Sequence, residues 1–130
     1  METVDGALLE DVTVSNITMR DIVNSPLFLR LGSRMRMPPG DSTAGALRRI
    51  LISNIMVYNA DSHFATIISG LPGKIIEDVQ LDNIRIYYRQ MDSSFTKIPS
   101  VVPKNEKGYP EPAKMGIMPA YGFFIRHVKG

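Results

Sequence analysis

The chain has 130 residues, the size of one domain and too few for two domains of ordinary size. Its content of 44% hydrophobic and 22% charged residues is close to the average of globular proteins and argues against wholesale disorder. A net charge of +2 provides no basic footprint for a nucleic acid, and no apolar run approaches the roughly 20 residues that cross a membrane. Because the sequence has no cysteine, it has no disulfide, thiolate metal site or cysteine nucleophile.

The first predicted strand belongs to a segment that recurs along the chain. Residues 9–19, 47–57 and 76–86 share apolar residues at offsets 0, 3, 5, 8 and 10 and an asparagine at offset 7. Offsets 3 and 5, and again 8 and 10, alternate with polar residues as half-buried strands do. Ile and Val, which favour strands, total 23 against 16 for Leu and Ala. A fourth copy is predicted to begin at Ile125 and to be cut off at Gly130.

The repeated asparagine predicts a bend between the two halves of each copy. Asparagine tolerates left-handed dihedral angles and hydrogen-bonds to nearby backbone. Asn16, Asn54 and Asn83 are therefore predicted to stack at one corner of successive coils, each amide satisfying its neighbour's backbone, with Asn54 the most buried. Three independent hairpin turns are the alternative explanation.

A second, shorter strand is predicted before each following copy, in residues 26–31, 63–69 and 121–125. Short strands repeated with corners are typical of a parallel β-helix, here with about four incomplete coils. Successive copies, measured at offset 3, are 38, 29 and 49 residues apart, so the excess residues must leave the coils as loops. These loops are predicted at 32–46 and 89–119, on one face, where a solenoid usually binds its ligand.

The two ends of such a coil stack need a cover. Terminal coils expose apolar side chains and unpaired strand edges unless they are capped. Residues 1–8 are short for a cap, and the last copy stops after one strand, so residues 1–130 are interpreted as one β-helix segment from the C-terminal part of a longer protein. The isolated chain is expected to self-associate through these ends, with a two-fold end-to-end dimer as the most economical closed arrangement.

These strands, with the runs at 64–73, 109–112 and 119–128, resemble the C-terminal coils of bacterial members of glycoside hydrolase family 28, the polygalacturonase-like enzymes. The resemblance extends from about residue 8 to the end of the chain. It implies a right-handed parallel β-helix, a secreted or periplasmic location, and hydrolysis of galacturonide linkages in pectin with inversion. That reaction uses one carboxyl group as acid and another as base.

The catalytic motifs of the family, Asn-Thr-Asp, Asp-Asp and Gly-His-Gly, do not occur in this sequence. The acidic pairs at 10–11 and 77–78 are interpreted as solvated strand edges, and His63 and His127 as structural or surface residues. No catalytic residue is therefore predicted, and the chain alone is expected to be inactive while supplying substrate-binding surface to a pectin-active hydrolase. The alternative is a non-catalytic β-helix module that binds an anionic glycan or scaffolds an assembly.

One family strand that binds substrate carboxylate has a partial match. Its Arg-Ile-Lys corresponds to residues 28–30, where Arg30 replaces the lysine and Phe28 departs from the arginine. Alternation with the leucines points Arg30 outward, and guanidinium pairs bidentately with carboxylate. Residues 28–49 hold five arginines, Arg34 among them, against the single Asp41, which suits an acidic polysaccharide. Ordinary solvated arginines are the alternative explanation.

Side chains of the long loop complete the predicted site. Tyr109 and Tyr121 would offer faces for stacking on sugars, and Glu111 would accept a hydrogen bond from a sugar hydroxyl. The alternative is that these aromatic residues fasten the loop onto the solenoid. No cofactor and no metal site are predicted, because the acidic residues lack clustered ligand spacing.

Overall fold

The computed structural model describes residues 1–34, 36, 45–90, 101–109, 111–116 and 122–130. Across these residues the chain forms eight β-strands in two parallel sheets, and its helical content is one 3-10 turn, Pro112–Met115. The predicted all-β class is therefore confirmed.

The strands alternate between the two sheets along the chain. Four short strands form sheet A: β1 (Glu2–Thr3), β3 (Phe28–Leu31), β5 (Thr66–Ser69) and β7 (Phe123–Arg126). Sheet B contains the long strands: β2 (Leu8–Arg20), β4 (Ala46–Ala60), β6 (Ile76–Tyr88) and the short β8 (Val128–Lys129). Every neighbouring pair is parallel, so each strand is followed in its own sheet by the strand two elements later.

The register of sheet B follows the sequence repeat. Val12 pairs with Ile50, and Ile50 pairs with Val79, which confirms the predicted alignment of the first three copies. The predicted fourth copy is wrong. Val128 pairs with Ile76, which moves this copy by three residues relative to the sequence alignment.

The reason for this difference is a change of sheet near the end of the chain. Ile125, predicted at offset 0 of the fourth copy, pairs with Ile68 in sheet A. His127 then takes a left-handed backbone conformation with a φ of 51°, and β8 begins in sheet B at the next residue. Histidine is one of the residues that adopt this conformation more readily than most.

Left-handed residues divide the long strands of sheet B into straight runs. Each such residue adds one position to the pleat, so inward side chains are three apart across a bend and two apart within a run. In β4 this rule gives the buried residues Leu47, Ile50, Ile52, Ile55, Val57 and Ala60. The left-handed positions lie in three columns across the sheet, with φ between 48° and 59°: Asp11, Arg49 and Asp78; Asn16, Asn54 and Asn83; Asp21 and Asn59.

The predicted stack of asparagines is confirmed. Asn54 donates through Nδ2 to Oδ1 of Asn16 at 3.1 Å, and Asn83 donates in the same way to Asn54 at 2.8 Å. One detail of the prediction is wrong: in the described residues the amides bind one another and not the neighbouring backbone. All three side chains are exposed.

The main core lies between the two sheets. Leu29, Leu31 and Ile68 of sheet A pack against the inward row of β4, with the corresponding rows of β2 and β6 on either side. Burying each of these side chains contributes about 1.5–3 kcal/mol to the stability of the fold.

A second, smaller core lies on the opposite side of sheet A. It joins Ala65 and Ile67 to Val102 and Met115, which come from residues 101–109 and 111–116. We call residues 101–109 and 111–116 the cover segment. They lie within the loop predicted at 89–119, of which residues 89 and 90 are also described, whereas its residues 91–100, 110 and 117–119 lie outside the described residues.

The loop predicted at 32–46 is shorter than expected at its end, because Ala46 already begins β4. Its first residues contact the cover segment, since the backbone N–H of Ser33 donates to the carbonyl oxygen of Glu106 at 2.8 Å. Residues 35 and 37–44 of this loop lie outside the described residues.

Candidate functional site

Parallel pairing places four polar side chains in one row across sheet A. Glu2 is level with Arg30, Arg30 with Ser69, and Ser69 with Arg126. We call these four residues the arginine column. Because successive side chains of a strand alternate between faces, the column lies on the opposite face from Leu29 and its core.

Arg30 points away from the main core, as predicted, but it is not exposed. Its accessibility is only 1%, because the cover segment lies over it, and its Nη2 donates to the carbonyl oxygen of Asn105. Its Nη1 is buried without a hydrogen-bond partner among the described residues. Burial lowers the pKa of Arg30, Glu2 acts in the opposite direction, and the nearby Arg126 lowers it further. The alternative explanation of an ordinary solvated arginine therefore does not hold for Arg30.

Arg126 is a second guanidinium on the same face, which the sequence analysis did not identify. Its Nε donates to Oγ of Ser69 at 2.8 Å, Nη1 to the carbonyl oxygen of Val102 at 2.9 Å, and Nη2 to that of Pro103 at 2.8 Å. Burial lowers the pKa of Arg126. Aligning β7 with β5 in the sequence would have placed Arg126 level with Ser69. The wrong prediction of a fourth copy at Ile125 prevented this alignment.

Arg34 lies near the arginine column but is already paired. It forms an ion pair with Asp5, whose Oδ1 also accepts the backbone N–H of Arg36 at 3.2 Å. The hydrogen bond from Arg34 lowers the pKa of Asp5, and the same bond raises the pKa of Arg34. The guanidinium of Arg34 lies 6.0 Å from the ring centre of Tyr109, so two predicted site residues are brought together.

Of the remaining predicted site residues, Tyr109 and Glu111 are described and partly or fully exposed to solvent. Tyr109 is 57% exposed, which leaves much of its surface available to a ligand. Glu111 is exposed just before the 3-10 turn, and its backbone N–H donates to the carbonyl oxygen of Tyr109 at 2.9 Å. Tyr121 lies outside the described residues.

The acidic pair Glu10 and Asp11 lies on sheet B, away from the arginine column. Glu10 accepts a hydrogen bond from Nε of Arg48 at 2.7 Å, and Asp11 accepts one from Nε of Arg49 at 2.7 Å. These bonds lower the pKa of both carboxyl groups. Both carboxylates are therefore neutralised across the strands, and neither is placed to act as an acid or base beside the column.

His63 closes a tight turn with Asp61. Oδ1 of Asp61 accepts the backbone N–H of His63 at 2.9 Å and lies 2.7 Å from its Nδ1. Burial tends to raise the pKa of Asp61, but the two hydrogen bonds from His63 outweigh it and the net change is a lowering. This geometry agrees with the structural role predicted for His63.

Among the described residues, no three His, Cys, Asp or Glu side chains are grouped so that they could hold a metal ion. In that same part of the chain, no helix is long and apolar enough to cross a membrane. The chain matches no protein-family model, and comparison with curated proteins and with solved structures gives no match either. Function is therefore inferred from the geometry of the arginine column.

Proposed function

We propose that this chain is part of a polygalacturonase-like glycoside hydrolase and that the outer face of sheet A binds an acidic, galacturonide-type polysaccharide. The observation that carries the proposal is the arginine column, in which two guanidinium groups share one face with the single carboxylate of Glu2. Guanidinium binds carboxylate bidentately, and each uronic acid of such a polymer carries one carboxylate. Arg34 and Tyr109, at the edge of this face, would contact neighbouring sugars.

The fold proposed for this function is a right-handed parallel β-helix of about four incomplete coils. The alternation of strands between sheets A and B, their parallel pairing and the stacked asparagines support it. The right hand is supported by the strong preference for right-handed crossovers between parallel strands of one sheet.

The chain alone is proposed to bind the polymer without hydrolysing it. Inverting hydrolysis needs two carboxyl groups roughly 6.5–9.5 Å apart on either side of the scissile bond. In the arginine column Glu2 is the one carboxylate, and the acids of β2 are on the other sheet in ion pairs. A missing general acid or base typically costs about 10²–10⁴-fold in rate.

The second candidate is a non-catalytic β-helix module that binds an anionic glycan or scaffolds an assembly. The same scarcity of carboxylates in the arginine column favours it. The reading frame upstream of Met1 separates the two candidates. An open frame that encodes the missing aspartates supports the enzyme, whereas a genuine start with its signals supports the binding module.

Calorimetric titration with oligogalacturonides tests the proposed binding. Because a hydrogen bond to a charged group is worth about 1.5–3 kcal/mol, Arg30→Gln should weaken binding by about tenfold or more. Arg48→Gln is the matched control, since Arg48 is on sheet B and is paired with Glu10. Equal losses in the two variants would indicate a diffuse charge effect and would contradict a site at Arg30.

A further inference from the structure

The cover segment holds both guanidinium groups of the arginine column through main-chain carbonyl oxygens. Asn105 accepts from Arg30, while Val102 and Pro103 accept from the two terminal nitrogens of Arg126. These carbonyl oxygens accept hydrogen bonds from the guanidinium N–H groups, but they carry no formal negative charge. Two cations are thus partly desolvated on one face, where the nearest carboxylate in the column belongs to the exposed Glu2.

The unpaired nitrogen of Arg30 indicates that this arrangement is incomplete. Nη1 is buried and lacks a hydrogen-bond partner among the described residues, and the residue as a whole is only 1% exposed. A buried donor without an acceptor is costly, and a buried charge without a counter-ion is more so. An anionic oxygen at this position would supply both the missing acceptor and the missing charge.

We propose that Arg126 is a second carboxylate-binding residue, that it acts with Arg30 and Ser69 on one carboxylate of the acidic polymer, and that the cover segment is displaced when this carboxylate binds. The inference rests on the proposed function for the identity of the ligand. A carboxylate has two oxygens with about four acceptor sites, enough to replace the three carbonyl oxygens. Its hydrogen bonds to guanidinium are roughly twice as strong as those of a neutral carbonyl.

The cover segment is attached by a small apolar contact that can be tuned separately from the arginines. Val102 is 7% exposed and Met115 is fully buried, and both pack on Ala65 and Ile67. When only a fraction of molecules has the cover open, the apparent affinity falls to that fraction of the affinity of the open form. Weakening the apolar contact should therefore strengthen binding of the polymer, although no binding residue is changed.

Two adjacent valines provide a matched test. Val102 is buried in the contact, whereas Val101 is 75% exposed. With trigalacturonate as the probe, Val102→Ser should bind about tenfold more tightly than the unmodified chain, and Val101→Ser should bind equally well. Arg126→Gln should bind about tenfold or more weakly, as Arg30→Gln does.

Hydrogen exchange of the unmodified chain gives a readout that needs no variant. Adding trigalacturonate should increase deuterium uptake in residues 101–109, because their contacts with the arginine column are lost. This measurement decides the question even if Val102→Ser fails to fold, since a bound probe with unchanged uptake overturns the displacement.

The outcomes separate this inference from the proposed function. If the probe binds but the two serine variants behave alike and uptake is unchanged, the cover is not displaced: binding of an acidic polymer by this chain then stands, but the buried Arg30 does not contact the polymer. If Arg30→Gln weakens binding and Arg126→Gln does not, Arg126 is not a binding residue. If the probe binds neither the unmodified chain nor Val102→Ser, both the proposed function and this inference are wrong. Binding by Val102→Ser alone would support the cover directly.

Discussion

The stacked asparagines allow the cost of one left-handed position to be divided into its parts. Asn54 has a φ of 53° and lies between Asn16 and Asn83, with one amide hydrogen bond to each. Asn54→Ala removes both hydrogen bonds and leaves alanine in a conformation that it disfavours. Exposed hydrogen bonds of this kind contribute about 0.5 kcal/mol each, and a left-handed alanine costs about 1–2 kcal/mol. The variant should therefore lose about 2–3 kcal/mol of unfolding free energy.

Glycine at the same position separates strain from hydrogen bonding. Asn54→Gly loses the same two hydrogen bonds but has no left-handed penalty, and it costs about 0.4–1 kcal/mol through the greater freedom of the unfolded chain. We expect it to be about 1 kcal/mol more stable than Asn54→Ala. Asn16→Ala, at the edge of the stack, loses one hydrogen bond instead of two and should cost about 0.5 kcal/mol less than Asn54→Ala.

Urea unfolding followed by circular dichroism, at one protein concentration, measures all three variants. Equal stability of Asn54→Ala and Asn54→Gly would refute the strain assigned to the bend. A midpoint unchanged in every variant would show that the stack contributes nothing to stability.

Three further predictions concern charge and association. Asp5, Glu10 and Asp11 have lowered pKa values in the fold, so the stability they contribute is present above their unfolded pKa values, about 4, and is lost as pH falls below about 4. Arg49→Gln removes the partner of Asp11, so the decrease of the urea midpoint between neutral and acid pH should be smaller in this variant than in the unmodified chain. Arg30→Met should keep or raise the melting temperature while oligogalacturonide binding is lost. Light scattering at micromolar concentration should show self-association of the isolated chain, and a clean monomer would contradict it.

The architecture of sheet B was predictable because its backbone rule is visible in the sequence. A three-residue step between apolar positions marks each left-handed bend, and the asparagines mark the central column directly. The columns containing Asp11 and Asp21 have the same signal, since aspartate also tolerates this conformation, although Asp11 was predicted only as part of a solvated strand edge.

The fourth copy could not be aligned from four residues. Ile125 and Val128 match the apolar spacing of the repeat by coincidence, because one residue belongs to sheet A and the other to sheet B. The left-handed His127 between them is the physical reason, and a histidine gives a weaker signal for such a bend than asparagine does.

The orientation of Arg30 was predictable, but its burial was not. Alternation within a strand fixes which face a side chain occupies, and Phe28 and Arg30 indeed lie opposite the leucines. What covers that face comes from Asn105, which is 75 residues away in the chain, in a stretch without strand or helix periodicity. No local pattern in the sequence encodes such a contact.

The same burial gives the strongest reason to assign a ligand to the arginine column. A fold that needed only to fill this face could place leucine or methionine at position 30, on the same face as Phe28 and Ile67, which pack with the apolar residues of the cover segment. It instead holds a guanidinium that is 1% exposed, lowered in pKa by burial and incompletely hydrogen-bonded among the described residues. Such a group costs stability in the empty state, because one buried donor has no acceptor among the described residues and the desolvated charge faces only the exposed Glu2 in the column. A bound carboxylate would recover that cost as affinity, which connects the unpaired donor of Arg30 to the proposed role of the column in binding an acidic polymer.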